Sequence, residues 1–185
     1  MAQNVPGFLK RLGYVDLTEA VTRFSAKGPA EVLPLDRMPK PVTEFLAYWK
    51  GKCGESSFPE YTAIDPVDIP RLLPNLMLWT PFWEKDALGF VCRLAGSQTE
   101  GPMRARLKGR TLHDLNGNNS ERAHEEFEYV SRSGHLHYVE RTAHWIDRPT
   151  VYYTRLLLPL ARSGAVANDL VSILVYDASN VAPTV

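Results

Sequence analysis

The chain has 185 residues, 44% of them apolar, with 21 Lys plus Arg against 21 Asp plus Glu and so no net formal charge. That length carries one domain with a real core and room for an extension, and the charge balance argues against a nucleic-acid groove, which leaves a basic surplus. No apolar run reaches the ~20 residues of a membrane helix, residues 1–17 lack the apolar stretch of a signal peptide, and Cys53 and Cys92, in no zinc spacing, read as reduced thiols.

Leu17, Ala20, Val21 and Phe24 recur at helical spacing behind Asp16, a capping residue with Glu19 three positions on. A first helix is expected there, ended by Lys27-Gly28-Pro29. Residues 30–40 carry Pro34 and Pro39 and read as an extended linker. A second helix starts near Pro41, with Val42, Phe45, Leu46 and Trp49 on one stripe and Gly51 as its stop.

The stretch AIDPVDIPRLLPNLMLW, residues 63–79, divides the chain between this helical region and a sheet-based domain. Asp65 is a good N-cap, and Pro66 suits the first helical position, where a missing N–H costs nothing. Ile64 and Ile69 form a hydrophobic staple across that turn. Pro70 and Pro74 keep the helical segment short, and Leu76–Trp79 reads as a buried strand. Strands are expected at residues 76–81 and 89–95, with Lys85-Asp86 in the turn between them. Short helices and loops fill residues 97–119. A longer helix spans Ser120–Ser133, capped by Asn119 or Ser120, stopped by Gly134, with Ala123, Phe127 and Val130 on its apolar face. Strands at residues 137–146, 151–160 and 170–176 complete the chain. Without strand–helix–strand alternation, a parallel doubly wound sheet is not expected.

Four blocks add a family. IDPVDIPRLLPNLML, FVCRLAGS, LKGRTLHDL and YTRLLLPLARSG, in that order, resemble the short, single-domain bacterial PAS proteins of the PAS_5 type. Trp49, Asp65, Pro66, Ile69, Pro70, Leu73, Pro74, Arg93–Gly96, Gly109, Tyr153, Arg155–Leu160 and Gly164 carry the likeness, which covers roughly residues 42–176. Ser97 and Thr154 stand where members often have Thr and Glu. The resemblance implies an α+β PAS fold: a five-stranded antiparallel sheet with a helical crossover between its second and third strands. Residues 1–41 would form an N-terminal helical extension and linker, and residues 42–180 the PAS domain. It also implies a cytoplasmic sensor or adaptor in bacterial signalling.

Alternation places Arg93 with Val91 and Ala95, and Arg155 with Tyr153 and Leu157. Each arginine interrupts an apolar strand and needs an anion or carbonyl partner. That partner is either a ligand carboxylate or phosphate, or an internal acid such as Asp65, Asp68 or Glu140; otherwise the guanidinium lies at a sheet surface. With the cavity of a PAS fold in mind, the expected ligand-binding residues are Arg93, Phe127, Trp145, Tyr153 and Arg155. His124 lies one residue off the Ala123–Phe127–Val130 stripe, beside Glu125 and Glu128, and the crossover has no flavin-cysteine motif, so neither haem, metal nor any other cofactor is expected. No nucleophile elbow, G-x-G-x-x-G or P-loop is present, and no catalysis is expected.

The strands at 76–79, 156–160 and 170–176 are apolar on both alternating sets, so both faces of the sheet need cover. The crossover helix covers one. The two N-terminal helices are expected on the other, within the chain or across a homodimer. The implied function is a regulatory module binding a small ligand, a signalling kinase or regulator, or both, with no nucleic acid and no membrane. The alternatives are a small cone-shaped α+β enzyme or binding protein with a cavity over a curved sheet, and a pure protein adaptor with a filled core.

Overall fold

The computed structural model describes residues 17–116, 119–145, 148–162 and 168–177. Six strands form one sheet: β1 (Leu17–Gly28), β2 (Leu76–Glu84), β3 (Ala87–Ala95), β4 (Leu136–Trp145), β5 (Arg148–Leu160) and β6 (Asp169–Asp177). Their order is β1-β4-β5-β6-β2-β3, with every neighbouring pair antiparallel. The helices are α1 (Lys40–Lys52), α2 (Ser97–Met103), α3 (Leu112–Asn116) and α4 (Ser120–Ser133). The last three form the crossover between β3 and β4.

The sheet has six strands instead of five because Leu17–Gly28 is a strand and not the expected helix. β1 lies along the open edge of β4, running from Leu17 opposite Trp145 to Gly28 opposite Leu136. Val21, Thr22 and Phe24 are strand formers, and a neighbouring edge with free backbone groups outweighs a weak helical pattern.

Period two divides the sheet cleanly. On one face, Met77, Trp79, Phe90, Cys92, Tyr153, Leu157, Leu170 and Leu174 pack with Leu112 and Leu115 of α3 and with Phe127 and Val130 of α4. On the other, Leu156, Leu158, Leu160, Val171 and Ile173 pack with Val42, Phe45, Leu46 and Trp49 of α1. The apolar stripe of α1 thus covers the outer face from within the same chain. Trp49 Nε1 donates to the Pro159 carbonyl at 3.0 Å, which anchors α1 on β5. Helix α1 runs through Gly51 to Lys52, slightly beyond the expected stop.

The entry to β2 agrees with the sequence reading. Asp65 Oδ1 accepts from the Val67 N–H at 2.9 Å, capping a single 3-10 turn at Pro66–Asp68. Ile69 is buried and Ile64 packs on the same outer core. Lys85 and Asp86 both adopt positive φ, the signature of a tight two-residue hairpin turn between β2 and β3. At Gly96 the chain leaves β3 so close to a second 3-10 turn, Leu73–Asn75, that a Cβ would run into the carbonyl oxygens of Leu73 and Pro74.

Candidate functional site

The inner face holds a polar cluster inside an apolar core. Glu126 is on α4, His137 and Arg141 on β4, Arg155 on β5. All four are buried. The sheet register places them together, since His137 opposes Leu157 and Arg141 opposes Tyr153, either side of Arg155.

Glu126 is gripped by two guanidiniums. Arg141 makes a bidentate pair with it, Nη1 to Oε2 at 3.1 Å and Nη2 to Oε1. Arg155 Nη2 donates to Oε2 at 2.6 Å, and its guanidinium lies 5.2 Å from the centre of the Phe127 ring. Arg155 Nη2 also reaches His137 Nδ1 at 3.4 Å. An arginine only donates. His137 Nδ1 is therefore the acceptor, and its Nε2–H donates to Ser25 Oγ at 3.0 Å. Arg141 Nε donates to Thr22 Oγ1 at 2.9 Å. The cluster so ties α4, β4 and β5 to β1.

Burial opposes the charge on Glu126, but the two arginines outweigh it and hold the carboxyl down to about 2. Burial lowers His137 to about 3, and the Arg155 cation beside it adds to the effect. Both groups therefore bind fewer protons folded than unfolded. Stability is present above their ordinary values of 6.5 and 4.5 and is lost as pH falls toward the folded values. The urea midpoint should be level between about pH 7 and 8, decline as pH falls from about 6.5, and decline more steeply below about 4.5. Titrating wild type beside His137→Asn checks this. The variant should lose the upper part of the decline and keep the lower.

A cavity of about 40 Å³ adjoins the cluster, lined by Arg155, Tyr153, Phe127, Ser172, Trp79 and Tyr176 among others. One water needs about 10–15 Å³. The space takes a few waters or a very small organic molecule, and is too small for a bicyclic or porphyrin ring. Of the five expected ligand-binding residues, Phe127, Tyr153 and Arg155 meet at this cavity.

Arg93 does not join them. The register between β2 and β3 shifts at Leu78/Trp79, so Leu94 opposes Leu78 while Cys92 opposes Trp79, and Arg93 is the extra residue of a bulge. Alternation from Val91 holds as far as Arg93 and breaks after it, so Ala95 turns to the inner core while Arg93 stays on the outer face. Arg93 is exposed and lines an outer-face groove of about 410 Å³ with Leu78, Thr80, Tyr61 and the Arg162–Asp169 pair. The side chain of Trp145 lies outside the described residues.

The internal partner of Arg155 is none of the acids named from the sequence. Asp65 caps its turn, Asp68 pairs with Lys52, and Glu140 sits on the outer face, accepting from Arg37, Tyr138 and Tyr152. Glu126, Arg141 and His137 were missed as site residues. The signal was there: Glu126 lies three residues after Ala123 and four before Val130, within the buried stripe. Arg141 shares the face of Val139 and Ala143 by alternation.

His124 is at the flank of α4, 3.7 Å from Glu128 and 5.9 Å from the Phe90 ring. Among the described residues no group of three or more His, Cys, Asp or Glu is placed to hold a metal. Cys92 is buried, its thiol pushed up to about 12 by burial, which makes it unreactive.

A PAS domain family model, PAS_5, matches residues 37–174. The chain belongs to the PAS domain family. No curated protein and no solved structure gives a match. The PAS match begins just before α1 and ends within β6, so β1 precedes it. The described sheet, read as β3-β2-β6-β5-β4 with a crossover from β3 to β4, is the PAS arrangement, and β1 extends it at the β4 edge. As a PAS domain the chain falls in a class of sensory and regulatory modules. No helix among the described residues is long and apolar enough to cross a membrane.

Proposed function

We propose that this PAS domain is a cytoplasmic, non-catalytic sensor that takes a small molecule at the inner-face cavity and reports its occupancy to a partner protein through β1. The observation that carries this reading is the Glu126–Arg141–Arg155 cluster. It borders the cavity at Arg155 and hydrogen-bonds β1 at Thr22, with His137 adding a second link at Ser25. A ligand that favours one packing of the cluster over another shifts the equilibrium between docked and undocked β1, by no more than its differential affinity. β1 suits such a role because residues 21–27 are largely exposed and its hold on the inner face is polar.

Native mass spectrometry of the freshly purified full chain, then incubation with a mixture of small metabolites, tests the proposal. A non-peptide mass retained or acquired, together with altered hydrogen exchange over residues 17–28, is the expected result. A chain that takes up nothing and whose β1 exchange never changes overturns it in favour of a pure adaptor. Turnover of any added compound overturns the non-catalytic part. The same spectra count subunits, for which the sequence reading is a homodimer.

A further inference from the structure

We infer that the inner cavity selects a small monocarboxylate of two or three carbons, its anionic end seated on Arg155 and Ser172. This rests on the sensory reading above and names the class of ligand.

Three observations converge. The first is charge. Among the described residues the buried cluster sets two guanidiniums, on Arg141 and Arg155, against the single carboxylate of Glu126, with His137 acting as an acceptor toward Arg155. One positive charge is left over in a place with little water, where a further anion is favoured.

The second is unused donor capacity. Arg155 is 7% exposed, and its Nε is buried with no hydrogen-bond partner. A buried donor left unmade is costly, and each such group asks what satisfies it. Ser172 is fully buried, and its Oγ accepts from Trp79 Nε1 at 3.4 Å. That leaves the hydroxyl proton free to donate. Both residues line the same cavity. Two donors beside a surplus cation call for a group that only accepts, and an ionised carboxylate is that group.

The third is size and lining. About 40 Å³ admits a headgroup with a short tail. The remaining wall is largely apolar, with Leu112, Leu115 and Met103 on the helical side. A phosphate dianion would overshoot the single surplus charge, and a cation would meet Arg155 head on.

The test uses the full chain labelled with ¹⁵N, with acetate and propionate as probes and acetamide and propionamide as neutral shapes of the same size. Sodium chloride holds the ionic strength constant. The readout is the Trp79 indole N–H signal, assigned through Trp79→Phe. The acids should shift it saturably, and the amides should bind at least tenfold more weakly. Leu115→Phe, which fills the cavity without touching a charged group, should weaken acid binding at least tenfold. Ser172→Ala, which removes one donor and little volume, provides the same comparison should Leu115→Phe fold poorly. Amides that bind as well as acids would leave the cavity as a ligand site and overturn the anion class. Acids that bind wild type, Leu115→Phe and Ser172→Ala alike would mean an anion site elsewhere and overturn the proposal. A Trp79 signal moved by neither acid nor amide would mean that water alone fills the cavity, and would sink the monocarboxylate. The sensory reading would then stand or fall separately, on the incubation with mixed metabolites.

Discussion

Glu126→Gln should destabilise the protein by about 3–5 kcal/mol, the range for removing one partner from a buried ion pair. Glutamine keeps the shape and volume of the side chain. It removes the only anion that Arg141 and Arg155 share among the described residues, and their side chains are just 6% and 8% exposed. Against a typical total of about 5–15 kcal/mol, that is about a fifth of the stability or more. Urea unfolding monitored by tryptophan fluorescence reads it as a drop in midpoint with little change in slope. A companion variant separates charge from packing. Replacing Glu126, Arg141 and Arg155 together with Leu, Met and Met should recover most of the loss, because an apolar trio of similar volume removes the burial cost of all three charges. A Glu126→Gln midpoint equal to wild type would mean that the pair contributes nothing, and the account of the site would fail with it.

Removing residues 1–51 should have a larger effect still: a chain that aggregates or is forced into association. The outer face of β5 and β6 presents Leu156, Leu158, Leu160, Val171 and Ile173, all nearly inaccessible beneath α1. Uncovered, they form a contiguous apolar patch of the kind that monomers rarely expose. Removing residues 1–28 alone should be much milder, because α1 stays in place and residues 21–27 of β1 are largely exposed. Size-exclusion chromatography and thermal melts of the two truncations make the comparison. If the chain lacking residues 1–51 stayed monomeric and as heat-stable as the full chain, α1 would not be what covers that face.

The sequence revealed more of the fold than of the site, for physical reasons visible residue by residue. The α1 and α4 stripes each hold their face over about two turns against one core apiece, and such patterns leave little choice of structure. The Asp65-Pro66 cap and the Gly134 stop are local chemistry, and local chemistry is legible: Gly134 has φ 71° and comes directly after α4. Leu17–Gly28 misled because four of its apolar residues fit a helix, while the deciding influence, the free edge of β4, lies more than a hundred residues away. Arg93 misled because alternation groups it with Val91 without saying which face the two share, and because a bulge after it, which leaves no mark in the pattern, parts it from Ala95. Tyr153 and Arg155 were paired correctly, since that part of β5 is regular and only the choice of face was open. Glu126 went unnoticed because an acid in a polar helix looks solvated until its angular position is counted.

The separation of β1 from β4 also governs how the chain is made. β1 ends at Gly28 and its partner begins at Leu136. At roughly 5–20 residues per second, a ribosome needs about 5–20 s to synthesise what lies between. Through that interval β1 has no strand to pair with, and the arginine it must satisfy on β4 does not yet exist. The charges of Glu19, Arg23 and Lys27, spaced four apart along the segment, discourage pairing with other nascent chains. β1 is thus made before the rest of the sheet and can join it only once β4 has been made.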